Sequence, residues 1–224
     1  MTLSPTYLRA RSAEQKEERR RNLLNTAKTM LDQSPNLRDL GINELARQAQ
    51  MTKSNVYRYF ESSEAVLMDV LVEEFMQWHG DLAAALGAQA GTTVKDIARA
   101  FSATAAARPL LCRLASILPS ILEHNVSLER MVEFKRKLLG VQQQAAQGFH
   151  TCVPTIAVPV FEQFIHQALP LIIGLWPLSN PAEVAQKVLE HPDLAGLRYD
   201  FQRDLETGLL MLLQGLTAVN HDHS

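Results

Sequence analysis

Apolar residues recur every three or four positions along almost the whole length of this 224-residue chain. This spacing places them on one face of an α-helix, whereas a β-strand would need apolar residues at every second position. The clearest case runs from Leu67 to Leu86, with Leu71, Phe75 and Trp78 on the same face. The sequence therefore predicts an all-α fold of about nine helices.

The first third of the chain is predicted to hold four of these helices. The first covers about residues 13–32 and ends at the turn-forming segment Gln33-Ser34-Pro35-Asn36. A short helix begins near Ile42 after Gly41, a third covers about 53–60, and a long fourth covers about 64–86. We predict two domains, residues 1–63 and residues 64–224.

The charge of the chain is unevenly distributed. Residues 1–60 contain 11 Lys and Arg and 6 Asp and Glu, a net charge of +5, whereas residues 61–224 carry −7. The total of −2 hides this difference. A basic segment on an acidic remainder is typical of a protein that binds a polyanion at one end.

The segment from Ile42 to Phe60 has the pattern of a helix-turn-helix, two short helices joined by a tight turn. Leu45 is predicted to face inward from the first helix, and Val56 and Phe60 from the second. Thr52 is a suitable N-cap for the second helix, because its hydroxyl can accept a hydrogen bond from an otherwise unpaired backbone amide.

The outward face of that second helix carries amide, hydroxyl and cationic groups. Amides and hydroxyls can read base edges in the major groove of DNA, while Lys, Arg and Tyr side chains reach phosphates. We therefore predict a DNA-contact surface formed by Thr52, Lys53, Ser54, Asn55, Tyr57, Arg58 and Tyr59.

This segment resembles the DNA-binding domain of the tetracycline-repressor (TetR/AcrR) family. The matching residues are Leu45-Ala46, Ala49, Thr52-Lys53, Val56-Tyr57-Arg58-Tyr59-Phe60 and Glu64-Ala65-Val66-Leu67, with the basic run Arg19-Arg20-Arg21 ahead of Leu23. More weakly, the stretch from His191 to Leu216 is similar to one ligand-domain subgroup. The resemblance implies a dimeric transcriptional regulator whose second domain encloses a small-molecule pocket.

Two positions depart from the family's pattern. Gln50 stands where the turn usually has glycine, and a positive φ there would cost on the order of 1 kcal/mol. Ser63 stands where the family has a lysine, which removes a usual phosphate contact. Either change could alter how the recognition helix docks on DNA.

A ligand cavity is predicted in the second domain. Pro119 and Pro170 interrupt helical patterns, and the kinks that prolines cause leave gaps between helices. Each candidate residue could instead be an ordinary core side chain. The candidates are Phe75, Trp78, Phe101, Leu114, Leu118, Leu122, Phe134, Leu138 and Phe149.

A dimer interface is predicted on the last helix, about residues 199–219. Its apolar face must cover either the chain's own core or a partner, and the resemblance implies pairing of the last helices about a two-fold axis. The predicted interface residues are Phe201, Leu205, Gly208, Leu209, Leu212 and Leu216.

Catalytic, metal and membrane roles find little support. We recognise no phosphate-binding loop, nucleophile motif or zinc-ligand spacing, and we predict no enzyme activity, metal or cofactor. No stretch of eighteen uncharged apolar residues predicts a membrane span. Cys112 and Cys152 are too few for a disulfide framework and suit the reducing cytoplasm.

The function that fits best is a ligand-responsive repressor that binds a palindromic DNA operator as a homodimer. Two alternatives stay open. One is a DNA-binding activator, and the other is a helical enzyme or small-molecule carrier with a non-functional DNA-binding head. The basic first sixty residues and the polar recognition face argue against the second alternative.

Overall fold

A computed structural model of the chain describes residues 5–34, 37–87 and 91–221. These residues form ten α-helices and contain no strand, which confirms the all-α prediction. The helices are α1 (Pro5–Gln33), α2 (Ile42–Gln48), α3 (Lys53–Val56), α4 (Ser63–Leu86), α5 (Val94–Ala106), α6 (Pro109–Ile117), α7 (Leu128–Cys152), α8 (Val158–Ser179), α9 (Glu183–Leu189) and α10 (Phe201–His221).

Most predicted helix bounds agree with the structure to within two residues. The main differences are α1, which begins at Pro5, and α3, which ends at Val56 where the sequence predicted residue 60. Gln33, the first residue of the predicted break, is still helical and Ser34 lies outside α1, while Pro35 and Asn36 lie outside the described residues. Around Pro119 the chain forms a wider π-helical turn, Leu118–Leu122, directly after α6.

Contacts group the chain into two units. The first extends to Val70 and also includes Ser120–Met131, and the second comprises Leu71–Pro119 and the chain from Val132 onward. We predicted a boundary at residue 63, whereas this division falls inside α4. Inclusion of Ser120–Met131 in the first unit had no signal in the sequence.

The core of the first unit lies between α1 and the helix-turn-helix. The apolar side chains Leu23, Leu24 and Leu31 of α1 are buried. Leu45 of α2 and Phe60 after α3 are buried as well. This small core fixes the outward face of α3 by anchoring its inward side chains.

The second unit is a bundle in which α10 packs against α5 and α8, and α6 packs against α8. A capping box starts α5, with Thr93 Oγ1 accepting from the amide of Asp96 and the Asp96 carboxylate accepting from the amide of Thr93. Of the described helices, only α8 is long and apolar enough to cross a membrane, and 28% of its apolar window is buried in the fold.

Candidate nucleic-acid interface and cavity

The turn between α2 and α3 is held by backbone hydrogen bonds. The amide of Met51 donates to the carbonyl of Ala46 at 2.8 Å, and the amide of Ala49 donates to the carbonyl of Leu45 at 2.9 Å. Gln50 between them has φ 55°. This is the left-handed conformation that glycine adopts most easily. The backbone at Gln50 is therefore strained, as expected for a residue other than glycine with a positive φ.

Thr52 caps α3 as the sequence predicted. Its Oγ1 accepts a hydrogen bond from the backbone amide of Asn55 at 3.3 Å. The cap satisfies one of the unpaired amides at the start of the helix and fixes where the helix begins. It therefore also fixes which side chains of α3 point away from the core.

The predicted facing of α3 is confirmed by side-chain burial. Val56 and Phe60 are buried. Beyond Val56 the chain continues in tighter turns, because the amide of Tyr59 bonds the carbonyl of Val56 three residues back. Of the predicted contact residues, Thr52, Lys53, Ser54, Tyr57 and Arg58 are exposed, whereas Asn55 and Tyr59 are half-buried.

The cations on this surface differ in their availability. Arg47 of α2 donates to the carboxylate of Glu44 at 2.8 and 2.5 Å, and these hydrogen bonds lower the pKa of Glu44 to about 2. Lys53 lies over the ring of Tyr57 at 5.8 Å. Within the described part of the chain, neither Lys53 nor Arg58 has a carboxylate partner, so both can pair with an external anion.

A cavity of about 100 Å³ lies in the second unit. Its lining comes from α4, α5, α7 and α8, and most of it is apolar. A second cavity of about 220 Å³ shares His79, Leu82 and Ala145 with it. The residues lining the first are Phe75, Trp78, His79, Leu82, Phe101, Leu138, Val141, Gln142, Ala145, Ile165, His166, Leu169 and Ile172.

Four of the predicted lining residues meet at the first cavity, namely Phe75, Trp78, Phe101 and Leu138. Phe149 lines the second cavity instead. The other four candidates line neither cavity and are buried, so they act as core residues. They are Leu114, Leu118, Leu122 and Phe134. The sequence prediction missed the α8 wall, although Ile165, Leu169 and Ile172 follow helical spacing there.

The predicted interface residues on α10 divide into two groups. Phe201, Leu205 and Leu209 are buried within the protomer, where α10 packs on α5 and α8, and so offer no surface to a second subunit. Gly208, Leu212 and Leu216 are half-buried. The face of α10 left open instead carries Met211 and Val219, which are 67% and 59% exposed.

Comparison with known proteins identifies the chain from α4 onward more closely. Residues 72–220 match the family described as "Tetracyclin repressor-like, C-terminal domain". No curated protein matches the sequence.

Solved structures share the fold. A possible TetR family transcriptional regulator from Streptomyces coelicolor A3(2) superposes with a TM-score of 0.52 at 21% identity, covering 89% of this chain and 99% of that one. The fatty acid degradation regulator FadR from Bacillus halodurans gives a TM-score of 0.52 at 11% identity, covering 86% and 94%. At these identities the likeness is one of fold.

Proposed function

Because this chain belongs to the tetracycline-repressor family of DNA-binding transcriptional regulators, we propose that it is a ligand-responsive repressor that binds a palindromic operator as a homodimer in the cytoplasm. The observation that carries the proposal is the exposed face of α3 and the turn after it. That face presents Lys53, Ser54 and Arg58 while Val56 and Phe60 hold it to the core.

We assign separate tasks to the residues of this face. The amide of Asn55 can bond a base edge in the major groove, which gives sequence preference. Lys53 and Arg58 can neutralise phosphates, which supplies affinity for any sequence. Four hydroxyl groups complete the proposed contact surface, those of Thr52, Ser54, Tyr57 and Tyr59. Ser63 contributes no cation at the start of α4, so fewer phosphates are neutralised there.

The homodimer is proposed on the apolar faces of α8 and α10 that the protomer leaves uncovered. Met211 and Val219 of α10 and Leu178 of α8 are each at least half exposed. Gly215 is also exposed on α10, and its Cβ position is clear of other atoms. In a homodimer with one head per half-site, the half-sites lie about 34–36 Å apart, or a multiple of that distance.

The cavity supports the ligand-responsive part of the proposal. It is concave, mostly apolar and lined by a few polar groups, which is the usual composition of a small-molecule site. In a repressor, an effector bound there lowers operator affinity by favouring an arrangement of the heads that no longer fits both half-sites.

Footprinting on the DNA upstream of the protein's own gene tests the proposal. A protected palindrome is expected. Asn55→Ala should weaken binding to it by about 1–3 kcal/mol and relax the preference at one base position. Arg58→Ala should weaken binding to all sequences alike and flatten the salt dependence by about one unit.

Lys187→Ala is the control, because it also removes one exposed positive charge but lies on α9 of the second unit. Unchanged operator binding in both Asn55→Ala and Arg58→Ala would contradict the proposed contact surface. A reporter gene placed behind the protected palindrome then distinguishes a repressor from an activator. A repressor lowers transcription of the reporter, and an activator raises it.

A further inference from the structure

We propose that the 100 Å³ cavity binds a neutral molecule with one aromatic ring and one hydroxyl group, that is, a compound of the phenol class. The proposal deepens the proposed function, because such a compound would be the effector. Its binding can be measured without DNA, so the two proposals can fail separately.

The buried part of the cavity wall is aromatic and rigid. Trp78 and Phe101 pack edge to face with ring centroids 4.6 Å apart, and Phe75 lies 6.2 Å from Trp78. The indole nitrogen of Trp78 donates to Thr104 Oγ1 at 2.9 Å, which fixes the orientation of the ring. Aromatic rings pack favourably against one another in offset or edge-to-face geometry, so this wall favours a ring over a flexible chain.

The volume of the cavity is closest to that of a single aromatic ring. An apolar protein cavity of about 150 Å³ accommodates benzene, and the volume here is about 100 Å³. Half-buried residues of α7 and α8 complete the wall, among them Leu138 and Leu169. Small shifts of these side chains would admit one ring.

The charge of the lining favours a neutral ligand. None of the lining residues is Lys, Arg, Asp or Glu, and the polar groups are His79, Gln142 and His166. An ammonium group would lose hydration on entering this site and would find no carboxylate there, and a carboxylate would find neither a lysine nor an arginine. The cavity therefore disfavours charged aromatic compounds relative to neutral ones.

Gln142 supplies a partner for one hydroxyl group. Its Nε2 donates to the backbone carbonyl of Glu162 at 3.0 Å. This bond orients the amide and leaves Oε1 as a hydrogen-bond acceptor. A phenolic hydroxyl can donate to Oε1 while its ring contacts the aromatic wall. His79 lies on the same cavity and offers a second polar contact.

The experiment uses the full chain with Trp176→Phe, so that Trp78 becomes the sole tryptophan and reports on the cavity. Phenol, toluene, benzoate and benzylammonium are titrated while indole fluorescence is recorded. Phenol and toluene should change the fluorescence saturably. Saturable binding of benzoate or benzylammonium at least as tight as that of phenol would overturn the proposal.

Two further variants test the assigned contacts. Gln142→Leu should weaken phenol binding roughly fivefold, the value of one neutral hydrogen bond, and leave toluene binding equal or tighter. The control Gln143→Leu makes the same change at an exposed neighbouring position of α7. It should alter neither the affinity for phenol nor that for toluene. Ala145→Phe fills the cavity and should abolish binding of both compounds.

Thermal melting of each variant confirms that it is folded. An equal loss of phenol and toluene binding in a folded Gln142→Leu variant would overturn the hydroxyl assignment, and so would undiminished phenol binding. Operator binding of the same protein without any compound is measured in parallel. If the protein binds the operator but not phenol, only the ligand assignment fails. If it binds phenol but not the operator, only the regulator role is rejected.

Discussion

The guanidinium of Arg20 on α1 donates a 2.5 Å hydrogen bond to the carboxylate of Asp69 on α4, inside the first unit. Asp69 is 6% exposed and also accepts from Arg130, near the start of α7. Arg20 additionally lies over the ring of Phe60 at 5.6 Å. One buried carboxylate therefore joins three segments of the unit that carries the proposed DNA-binding surface.

Removing that carboxylate should destabilise the first unit. Asp69→Ala leaves two largely covered guanidinium groups without their shared partner, and breaking such a buried pair costs about 3 kcal/mol. Urea unfolding followed by circular dichroism measures the loss. Glu44→Ala is the control, because its ion pair with Arg47 is exposed to solvent and screened. Equal midpoints for the two variants would show that the Asp69 cluster contributes no stability.

Replacing Gln50, which has a left-handed conformation, should raise stability, whereas replacing Asp69 should lower it. Gln50→Gly removes the strain of a side chain at φ 55°. It should raise stability by about 0.5–1 kcal/mol, after allowing for the greater freedom of glycine in the unfolded chain. Gln48→Gly, two residues earlier in α2, should lower stability, because glycine is unfavourable in a helix. Destabilisation by both would mean that the Gln50 side chain makes a contact worth more than the strain.

Phe60 should be a core residue and not a DNA contact. Phe60→Ala removes a ring that is 1% exposed, and the cavity left behind should cost about 3–5 kcal/mol. Tyr57→Ala is the comparison, because that ring is 48% exposed and its loss should change the melting temperature little. Loss of operator binding by Phe60→Ala at full thermal stability would contradict the facing of α3.

The sequence predicted well what depends on local spacing. The inward direction of Val56 and Phe60 follows from their separation of four residues on one helical turn, and the cap at Thr52 follows from its side chain. Both are properties of a few neighbouring residues, so no knowledge of the rest of the fold was needed.

What depends on packing between distant helices was harder to predict. An apolar stripe shows that a face is covered but not what covers it, so Leu205 and Leu209 were assigned to a partner although α5 and α8 cover them. Leu114 and Phe134 were assigned to the cavity for the same reason.

Polar contacts join Ser120–Met131 to the rest of the first unit. Asn125 donates to Glu64 at 2.8 Å, and the amide of Ser127 donates to Glu61 at 2.7 Å. These pairs are separated by more than sixty residues in the chain. No periodicity or motif marks residues so far apart as neighbours.

The two cysteines should differ sharply in reactivity. Burial raises the pKa of the Cys112 thiol to about 12, so at pH 8 only about one molecule in ten thousand carries the reactive thiolate. Cys152 is half-buried and should react with a thiol reagent first. Mass spectrometry of the native protein should show one modification, which Cys152→Ser removes and Cys112→Ser retains. Rapid double labelling of the native chain would contradict the burial of Cys112.

The proposed dimer gives a prediction that separates a partner surface from the protomer's own core. Met211→Glu places a charge on the uncovered face of α10, where a two-fold interface would bury it twice. The variant should be folded but monomeric at micromolar concentration in light scattering, and its operator affinity should fall steeply because two linked heads bind more tightly than one.

Two controls make the result on Met211 specific. Met76→Glu introduces the same charge at a methionine of α4 that is 59% exposed, and it should leave the dimer intact. Leu209→Glu places the charge in the protomer's core, so it should unfold the second unit and not merely separate the subunits. A soluble Met211→Glu dimer with undiminished operator binding would place the partner surface elsewhere. Folded monomers from Leu209→Glu would instead mean that a second subunit, and not α5 and α8, covers that side chain.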